Sequence, residues 1–354
     1  MTSPAGRHMA AEIAEQPAVL ARLAVEAGPQ LAEVGRAIAA RRPRFVLLAA
    51  RGTSDHAALY AKYLVEVRLG LPAGLVSPST MTIYGARPAL RDVLFLAVSQ
   101  SGGSPDLIDS LAVARDCGAI TVAITNNPDS DLSRAAELSI DLRAGVEHAV
   151  AATKSYTAEL LALYLLLMPL AAGGPDSRQL AEQAAAVSEA ARDTLGRSAA
   201  VREVAAEFRD ADRVLTTARG FGYPTAREAA LKLMETCYLG AQAFSGADLL
   251  HGPMAMVGAG LPVLAVATPC AGGRAMLAVL ERLQQRQPAL VVVGGLPGLP
   301  GSPSVLPVST EGLPEELFPV VEILPLQQLS YQLALLRGAD PDAPRGLAKV
   351  TRTW

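Results

Sequence analysis

Runs of consecutive apolar residues, each followed by a stretch with helical periodicity, recur along most of the chain. A first series includes residues 45–50, 93–98 and 119–124, and a second includes 262–267 after a less apolar strand candidate at 213–218. Strands that are apolar at every position are buried on both faces, which is typical of parallel β-α-β units covered by helices. The pattern therefore predicts an α/β fold with two doubly wound parallel sheets, each an α-β-α sandwich.

A length of 354 residues accommodates two domains of that kind. We expect an N-terminal helical segment at 1–34, a first domain at 35–172, a helical connector at 173–204, a second domain at 205–338 and a C-terminal tail at 339–354. The glycine-rich loop at 294–301 lacks the G-x-G-x-x-G spacing of a dinucleotide site, and the chain contains no Walker A sequence.

Composition argues against several classes of partner and location. The 31 Lys and Arg residues against 34 Asp and Glu give a net charge of −3, without the basic surplus typical of nucleic-acid binding. The most apolar run, 160–174, is interrupted by Pro169 and is shorter than the ~20 residues of a membrane span. No signal segment is evident, and three widely spaced cysteines fit a reducing cytoplasm. Four histidines without ligand spacing predict no bound metal.

Two loops rich in hydroxyl groups follow neighbouring strands of the first predicted sheet. They are Ser99-Gln100-Ser101-Gly102-Gly103-Ser104 and Arg51-Gly52-Thr53-Ser54. In open parallel sheets, ligands bind beyond the carboxyl ends of the strands, where N–H groups at a helix N-terminus attract anions. Serine and glycine also suit ordinary β-α turns, but two such loops side by side favour an anion site. Because Arg51 is its only cation, the site suits a sugar monophosphate better than a polyphosphate with Mg²⁺.

Several short segments carry a family resemblance. Arg51–Ser54, Ser99–Gly102 and Val150–Lys154 resemble the first SIS (sugar isomerase) domain of glucosamine-6-phosphate synthase. The segments at 227–235, 250–253 and 344–349 resemble the isomerase catalytic segments of that enzyme. The chain is therefore identified as a member of the double-SIS sugar isomerase family, which implies two flavodoxin-like SIS domains.

The resemblance implies an activity as well as a fold. Residues 12–17 resemble the linker that precedes the isomerase half of the synthase, so we expect this chain to lack the glutaminase domain. Arg51-Gly-Thr-Ser-Asp-His56 is similar to the corresponding segment of the second, SIS-type class of glucosamine-6-phosphate deaminase. The resemblance thus implies a cytoplasmic enzyme that converts glucosamine 6-phosphate to fructose 6-phosphate and ammonia without cofactor or metal. A deglycase or isomerase of a related fructosamine or galactosamine phosphate, and a non-catalytic sugar-phosphate sensor, remain as alternatives.

Roles for individual residues also follow from the resemblance. Glu235 would move a proton between C2 and C1 of the sugar, with help from Lys232. His251 would open the sugar ring in the active site of the neighbouring subunit, which implies a homodimer with shared sites. Lys349 would form a Schiff base, so the tail would contribute to the active site. The expected sugar-phosphate contacts are Arg51, Gly52, Thr53, Ser54, Ser99, Gln100, Ser101, Ser104, Val150 and Ala152.

Spacing and residue usage bear on the proposed catalytic groups. Glu228, Lys232 and Glu235 are separated by single helical turns, so an ordinary ladder of surface ion pairs is the alternative reading. Lysine is rare among the 31 cationic residues, and Lys, unlike Arg, can lose its proton and form a Schiff base. The lysines are Lys62, Lys154, Lys232 and Lys349.

Two substitutions relative to the synthase concern the substrate. Arg51 stands in place of a Cys and adds charge near the sugar, while Ala152 stands in place of a Ser and removes a hydrogen bond. Glu147 and Lys154 are expected to be structural and to pair with one another.

Overall fold

The computed structural model describes residues 5–349, which form two compact units, each assembled from separate stretches of the chain. The first-sheet unit contains residues 18–147, 154–185 and 348–349 of that range. The second-sheet unit contains residues 5–17, 148–153 and 186–347. The domain boundaries expected from the sequence stay predictions.

Helices and strands alternate through both units. The strands are β1 (Phe45–Ala49), β2 (Ala73–Leu75), β3 (Val93–Ser99), β4 (Ile120–Thr125), β5 (Leu138–Asp141), β6 (Arg213–Ala218), β7 (Gly240–Ser245), β8 (Pro262–Ala267), β9 (Ala289–Gly294) and β10 (Ser304–Leu306). The helices are α1 (Arg7–Ala14), α2 (Gln16–Glu26), α3 (Gly28–Arg41), α4 (Thr53–Leu64), α5 (Ser79–Thr82), α6 (Pro105–Asp116), α7 (Asp131–Ala135), α8 (Lys154–Leu167), α9 (Ser177–Gly196), α10 (Ser198–Glu207), α11 (Gly222–Cys237), α12 (Gly246–Leu250), α13 (Ala271–Gln284) and α14 (Phe318–Leu336).

The ten strands of the described chain form two parallel sheets with the same strand order. Sheet 1 runs β2-β1-β3-β4-β5, and sheet 2 repeats this order as β7-β6-β8-β9-β10. This is the order of flavodoxin-like sheets, and it confirms the predicted fold class. In such sheets the winding direction reverses between the first and third strands, which leaves a crevice at the carboxyl edge. The loops after β1 and β3 flank that crevice in sheet 1.

Burial of the central strands stabilises each sheet. All seven residues of β3 are buried, and Phe95 on this strand belongs to the same hydrophobic core cluster as Leu107 and Leu111 of α6. Burying an aromatic side chain of that size stabilises the fold by about 1.5–3 kcal/mol. All residues of α8 are also buried, so its sequence lacks the polar stripe of a surface helix. The rigid sheet fixes where the loops at its carboxyl edge begin.

One strand has no counterpart in the apolar pattern of the sequence. β7 contains Gly, Ala and Gln, which have low strand propensity, and it lies at the edge of sheet 2 with only one of its residues buried. Its six residues pair in register with all of β6, so backbone hydrogen bonding defines it. The helical connector expected at 173–204 contains two helices, α9 and the first part of α10, which are divided at Arg197.

A buried carboxyl group lies in the second-sheet unit. Glu322 on α14 accepts a hydrogen bond from the Thr268 hydroxyl, which follows β8, with 2.5 Å between the oxygens. The hydroxyl of Thr225, in the first turns of α11, donates a longer hydrogen bond to the same carboxylate, at 3.4 Å. Burial raises the pKa of Glu322 to about 7, although both hydroxyl hydrogen bonds act to lower it.

The substitution Glu322→Gln tests the charge state of this group. With a pKa near 7 when folded and near 4.5 when unfolded, the native state binds the extra proton between those values. The stabilising contribution is therefore full below about pH 4.5 and is lost as the pH rises through 7, by about 3 kcal/mol. Gln does not ionise, so the variant's stability relative to wild type should increase by that amount between pH 4.5 and 8, measured by urea denaturation. Glu281→Gln, on the exposed face of α13, is the control; a pH-independent difference for Glu322→Gln would contradict the assignment.

Candidate functional site

The loop after β3 has the form of an anion-binding turn. Gly102 has a φ of +63°, and its N–H donates to the Ser99 hydroxyl at 3.2 Å. The N–H of Gly103 donates to the Ser101 hydroxyl at 3.3 Å. Ser104 occupies the N-cap position of α6, but its side chain makes no capping hydrogen bond, so the first turn of this helix is not closed by it. The loop therefore concentrates hydroxyl groups at a helix N-terminus, where anions are stabilised.

The neighbouring loop after β4 braces this turn. The carbonyl of Gln100 accepts from the N–H of Asn126 at 3.1 Å and from the Thr125 hydroxyl at 3.3 Å. The carbonyl of Gly102 accepts from the N–H of Leu132 at 3.1 Å. Because these bonds use backbone carbonyls, they fix the path of the loop without using the serine hydroxyls.

Arg51, which begins the loop after β1, forms an ion pair with Asp106 in the first turn of α6. Its Nε and a terminal guanidinium nitrogen lie 2.8 and 2.6 Å from the same oxygen, Oδ2. The Arg51 side chain is 44% exposed and that of Asp106 is 5% exposed. The other oxygen of Asp106, Oδ1, is buried and has no hydrogen-bond partner among the described residues. The charge that Arg51 was expected to add near the sugar is thus balanced by a carboxylate.

The remaining residues of this loop begin α4. Gly52 adopts a φ of +57° at the N-cap position, and Thr53 is the first helical residue and half-buried. Ser54 is buried, and its hydroxyl donates to Oε1 of Glu159 on α8 at 2.7 Å. Ser54 therefore links α4 to α8. The structure brings residues 51–54 and 99–104 to the carboxyl ends of the adjacent strands β1 and β3, as predicted.

The ladder on α11 is buried, so the surface ion-pair reading of this sequence is wrong. The side chains of Glu228 and Lys232 are fully buried, with 3.4 Å between Lys232 Nζ and Glu228 Oε1. Lys232 Nζ also lies 2.5 Å from Glu235 Oε2, and the Glu235 side chain is 22% exposed. Glu235 is thus the member of the ladder that reaches the surface of the unit.

The charge of Lys232 is fixed by its two neighbours. Burial by itself lowers the pKa of this amine, but the carboxylates of Glu228 and Glu235 outweigh burial and raise it well above its usual value. Lys232 therefore remains an ammonium group at neutral pH. It can orient Glu235 and donate hydrogen bonds, but it is not a base.

His251, Val150 and Ala152 lie elsewhere in the second-sheet unit. His251 is exposed and ends α12, with its N–H donating to the carbonyl of Asp248 at 3.0 Å. Val150 and Ala152 lie in the segment 148–153 and are half-buried. The N–H of Val150 donates to the carbonyl of Asp342 at 3.3 Å.

Lys349 pairs with a residue that sequence analysis treated as structural. Its Nζ lies 2.8 Å from Oε2 of Glu147, in the first-sheet unit. The Glu147 side chain is fully buried and also accepts hydrogen bonds from the N–H and hydroxyl of Ser155, while Lys349 is 25% exposed. Lys154 donates to the carbonyl of Val146 at 2.6 Å; its expected pairing with Glu147 stays a prediction. Glu147 stands just before the Val150 segment, and this position is the sequence signal that could have identified Glu147 as a candidate site residue.

No group of three or more His, Cys, Asp or Glu side chains within 5–349 is arranged to hold a metal ion. No helix in that range is long and apolar enough to cross a membrane.

Comparisons with known proteins agree with this architecture. The chain is 35% identical to the glutamine–fructose-6-phosphate aminotransferase (isomerizing) of Gloeobacter violaceus, over 97% of this chain and 58% of that protein. The chain therefore spans a little over half the length of such relatives. The solved C-terminal domain of glucosamine-fructose-6-phosphate aminotransferase from Francisella tularensis is 26% identical, with a TM-score of 0.86 over 97% of this chain and 100% of that one.

A more distant structure shares the fold. Glucosamine-6-phosphate deaminase from Thermotoga maritima is 21% identical and has a TM-score of 0.78, over 98% of this chain and all of that one. The family model for the SIS domain matches this chain twice, at residues 41–169 and 207–337. Each match contains one of the two sheets. The chain belongs to the SIS-domain family.

Proposed function

We propose that this protein is a sugar-phosphate isomerase that deaminates its substrate, converting glucosamine 6-phosphate and water to fructose 6-phosphate and ammonia. Its relatives include an isomerizing glutamine–fructose-6-phosphate aminotransferase, and a solved glucosamine-6-phosphate deaminase shares its fold. The observation that carries the proposal is the Lys232–Glu235 pair, in which a fully buried ammonium holds a partly exposed carboxylate. A buried cation of this kind is costly, and charged groups held in this way are typical of catalytic sites.

The serine loop suits the phosphate end of such a substrate. Phosphate is stabilised by backbone N–H groups and hydroxyls at the start of α6, a helix of 12 residues. Because Asp106 balances Arg51, the loop holds the anion mainly through dipoles and hydroxyl groups. We assign the hydroxyl groups that donate to the phosphate to Ser99, Ser101 and Ser104. Thr53 and Gln100 are further proposed contacts of the sugar phosphate.

The reaction needs one proton transfer along the carbon chain. After His251 assists ring opening, Glu235 takes the proton from C2 of the open aldose and returns it to C1, while a proton of the amine passes to the C1 oxygen, which yields the 2-imine of the ketose. The amine of Lys349 adds to C2 of this imine, and ammonia leaves as the lysine Schiff base forms. Water then hydrolyses the Schiff base, releasing fructose 6-phosphate and the free amine. Glu147, 2.8 Å from Nζ, is the acceptor for the proton that Lys349 must lose before it attacks.

His251 supports a further part of the proposal, a homodimer with shared active sites. Its side chain is exposed at the end of α12, beside Leu250, which is 42% exposed. An exposed histidine is available to a second copy of the chain. The free cysteines Cys117, Cys237 and Cys270 fit a reducing cytoplasm as the place of the reaction.

The Arg51–Asp106 pair supports one alternative, a different amino-sugar phosphate. The orphaned oxygen of Asp106 and the missing hydroxyl at Ala152 change the hydrogen bonds offered to a sugar relative to the synthase. A fructosamine or galactosamine phosphate would use the same proton transfer and the same phosphate loop. Parallel assays with each compound, following ketose phosphate and ammonia, discriminate these substrates.

The substitution Glu235→Gln tests the proton transfer. Gln keeps the shape and accepts a hydrogen bond from Lys232, but it cannot carry a proton between carbons. We expect kcat for fructose 6-phosphate formation to fall by about 10²–10⁴-fold, while the Kd for fructose 6-phosphate changes little. A coupled assay and calorimetry measure the two quantities. Glu281→Gln is the control, and unchanged turnover in Glu235→Gln would exclude this carboxylate as the proton carrier.

The paired substitutions Gly102→Ala and Gly85→Ala test the phosphate loop. Both glycines have nearly the same backbone conformation, with φ of +63° and +64°, so the strain from adding a side chain is matched. A methyl group on Gly102 would overlap the side chain of Ser130, whereas one on Gly85 meets open space. We expect Gly102→Ala to weaken fructose 6-phosphate binding about tenfold or more. Equal affinities in the two variants, measured by calorimetry, would remove the loop from the binding site.

A further inference from the structure

The N-terminal end of α1 is held by residues from the far end of the chain. The two carboxylate oxygens of Asp342 accept hydrogen bonds from the N–H groups of His8, at 2.8 Å, and Met9, at 2.7 Å. Asp340 accepts from the N–H of Gly6 at 2.9 Å. The start of a helix leaves several N–H groups unpaired, and these carboxylates satisfy them.

The other end of α1 holds the segment that contains Val150. Glu12 is buried, and its carboxylate accepts hydrogen bonds from the N–H groups of His148 and Ala149. The rings of His8 and His148 are 5.1 Å apart, which adds a second contact between the helix and this segment. The N–H of Val150 donates to the carbonyl of Asp342, so the segment is tied directly to the tail as well.

The tail is also held at Tyr238, the residue that follows the last turn of α11. The N–H of Arg345 donates to the hydroxyl of Tyr238 at 3.0 Å, and the Arg345 guanidinium lies 4.1 Å from the centre of the Tyr238 ring. Residues 340–345 are therefore fixed at both ends within the second-sheet unit.

We propose that Glu12 and Asp342 are positioning residues for the Glu147–Lys349 pair, acting together through α1. This α1 clamp comprises α1 with Glu12, Asp340 and Asp342. The inference rests on the proposed function for its catalytic consequence. Glu147 immediately precedes His148, and Lys349 lies four positions after Arg345, so both members of the pair emerge directly from segments that the clamp holds. Neither Glu12 nor Asp342 needs to touch the substrate.

The coupling between the two ends of α1 is the testable property. If the clamp acts as a unit, Asp342→Ala loosens α1 and thereby releases the amides that Glu12 holds. In the full chain, the amide hydrogens of His148 and Ala149 should then exchange faster by about tenfold or more. The amide hydrogen of Met9 should also exchange faster. Asp210→Ala, at an exposed position, is the matched control. Acceleration confined to the first turn of α1 would overturn the proposal.

A second measurement reports on Lys349 without requiring turnover. Acetic anhydride labelling of Lys349 should be faster in Asp342→Ala and in Glu12→Gln, because loss of the clamp exposes the amine that Glu147 holds. Lys62, which pairs with Glu66 on the surface, is the internal reference. An unchanged ratio of Lys349 to Lys62 labelling would show that the pair does not depend on the clamp.

Measurements of kcat and KM then distinguish a loss of positioning from a loss of folded protein. We expect kcat to fall by about 10²-fold in both variants with KM within about twofold, since a small misplacement of a reacting group lowers the rate more than binding. Glu26→Gln, on the exposed face of α2, is the control for Glu12→Gln. Unchanged kcat with faster exchange and labelling would overturn the positioning role. If wild type turns over no amino-sugar phosphate, the proposed function fails, while exchange and labelling still decide the clamp.

Discussion

Parallel strands of a doubly wound sheet must all point one way, and this constraint places the functional loops. Because winding reverses between β1 and β3, the helices that follow these strands lie on opposite faces of the sheet, and the carboxyl edge between the two strands is left as a crevice. At that crevice the N–H groups at the start of α6 have no partners within their own helix. The serine loop and the loop from Arg51 to Ser54 meet there, so an anion can be held with little net positive charge.

The second-sheet unit has the same strand order and buries ionisable groups. Its helix α11 carries a buried ammonium between two carboxylates, an arrangement that is stable only because each charge has a partner at close range. The second sheet also buries Glu322 between two threonine hydroxyls.

The sequence predicts those features that depend on local pattern. Apolar runs identify the buried strands, and the loops at 51–54 and 99–104 lie at the strand ends where they were expected. What escapes prediction depends on contacts between distant residues. Arg51 with Asp106 and Glu147 with Lys349 pair across 55 and 202 positions, and no spacing rule indicates such partners. The edge strand β7 is not predicted, because it is a strand through its pairing with β6 rather than through its own composition. The burial of Glu228 is hidden for a similar reason, since its spacing suits an exposed face equally well.

The central claim is that the crevice between β1 and β3 holds the phosphate of an amino-sugar substrate. A crystal structure of the protein with glucosamine 6-phosphate tests this most directly. We predict that the phosphate oxygens lie within hydrogen-bonding distance of Ser99, Ser101 and Ser104, with Arg51 still on Asp106. Ordered phosphate at any other place, including the carboxyl edge of sheet 2, would contradict it.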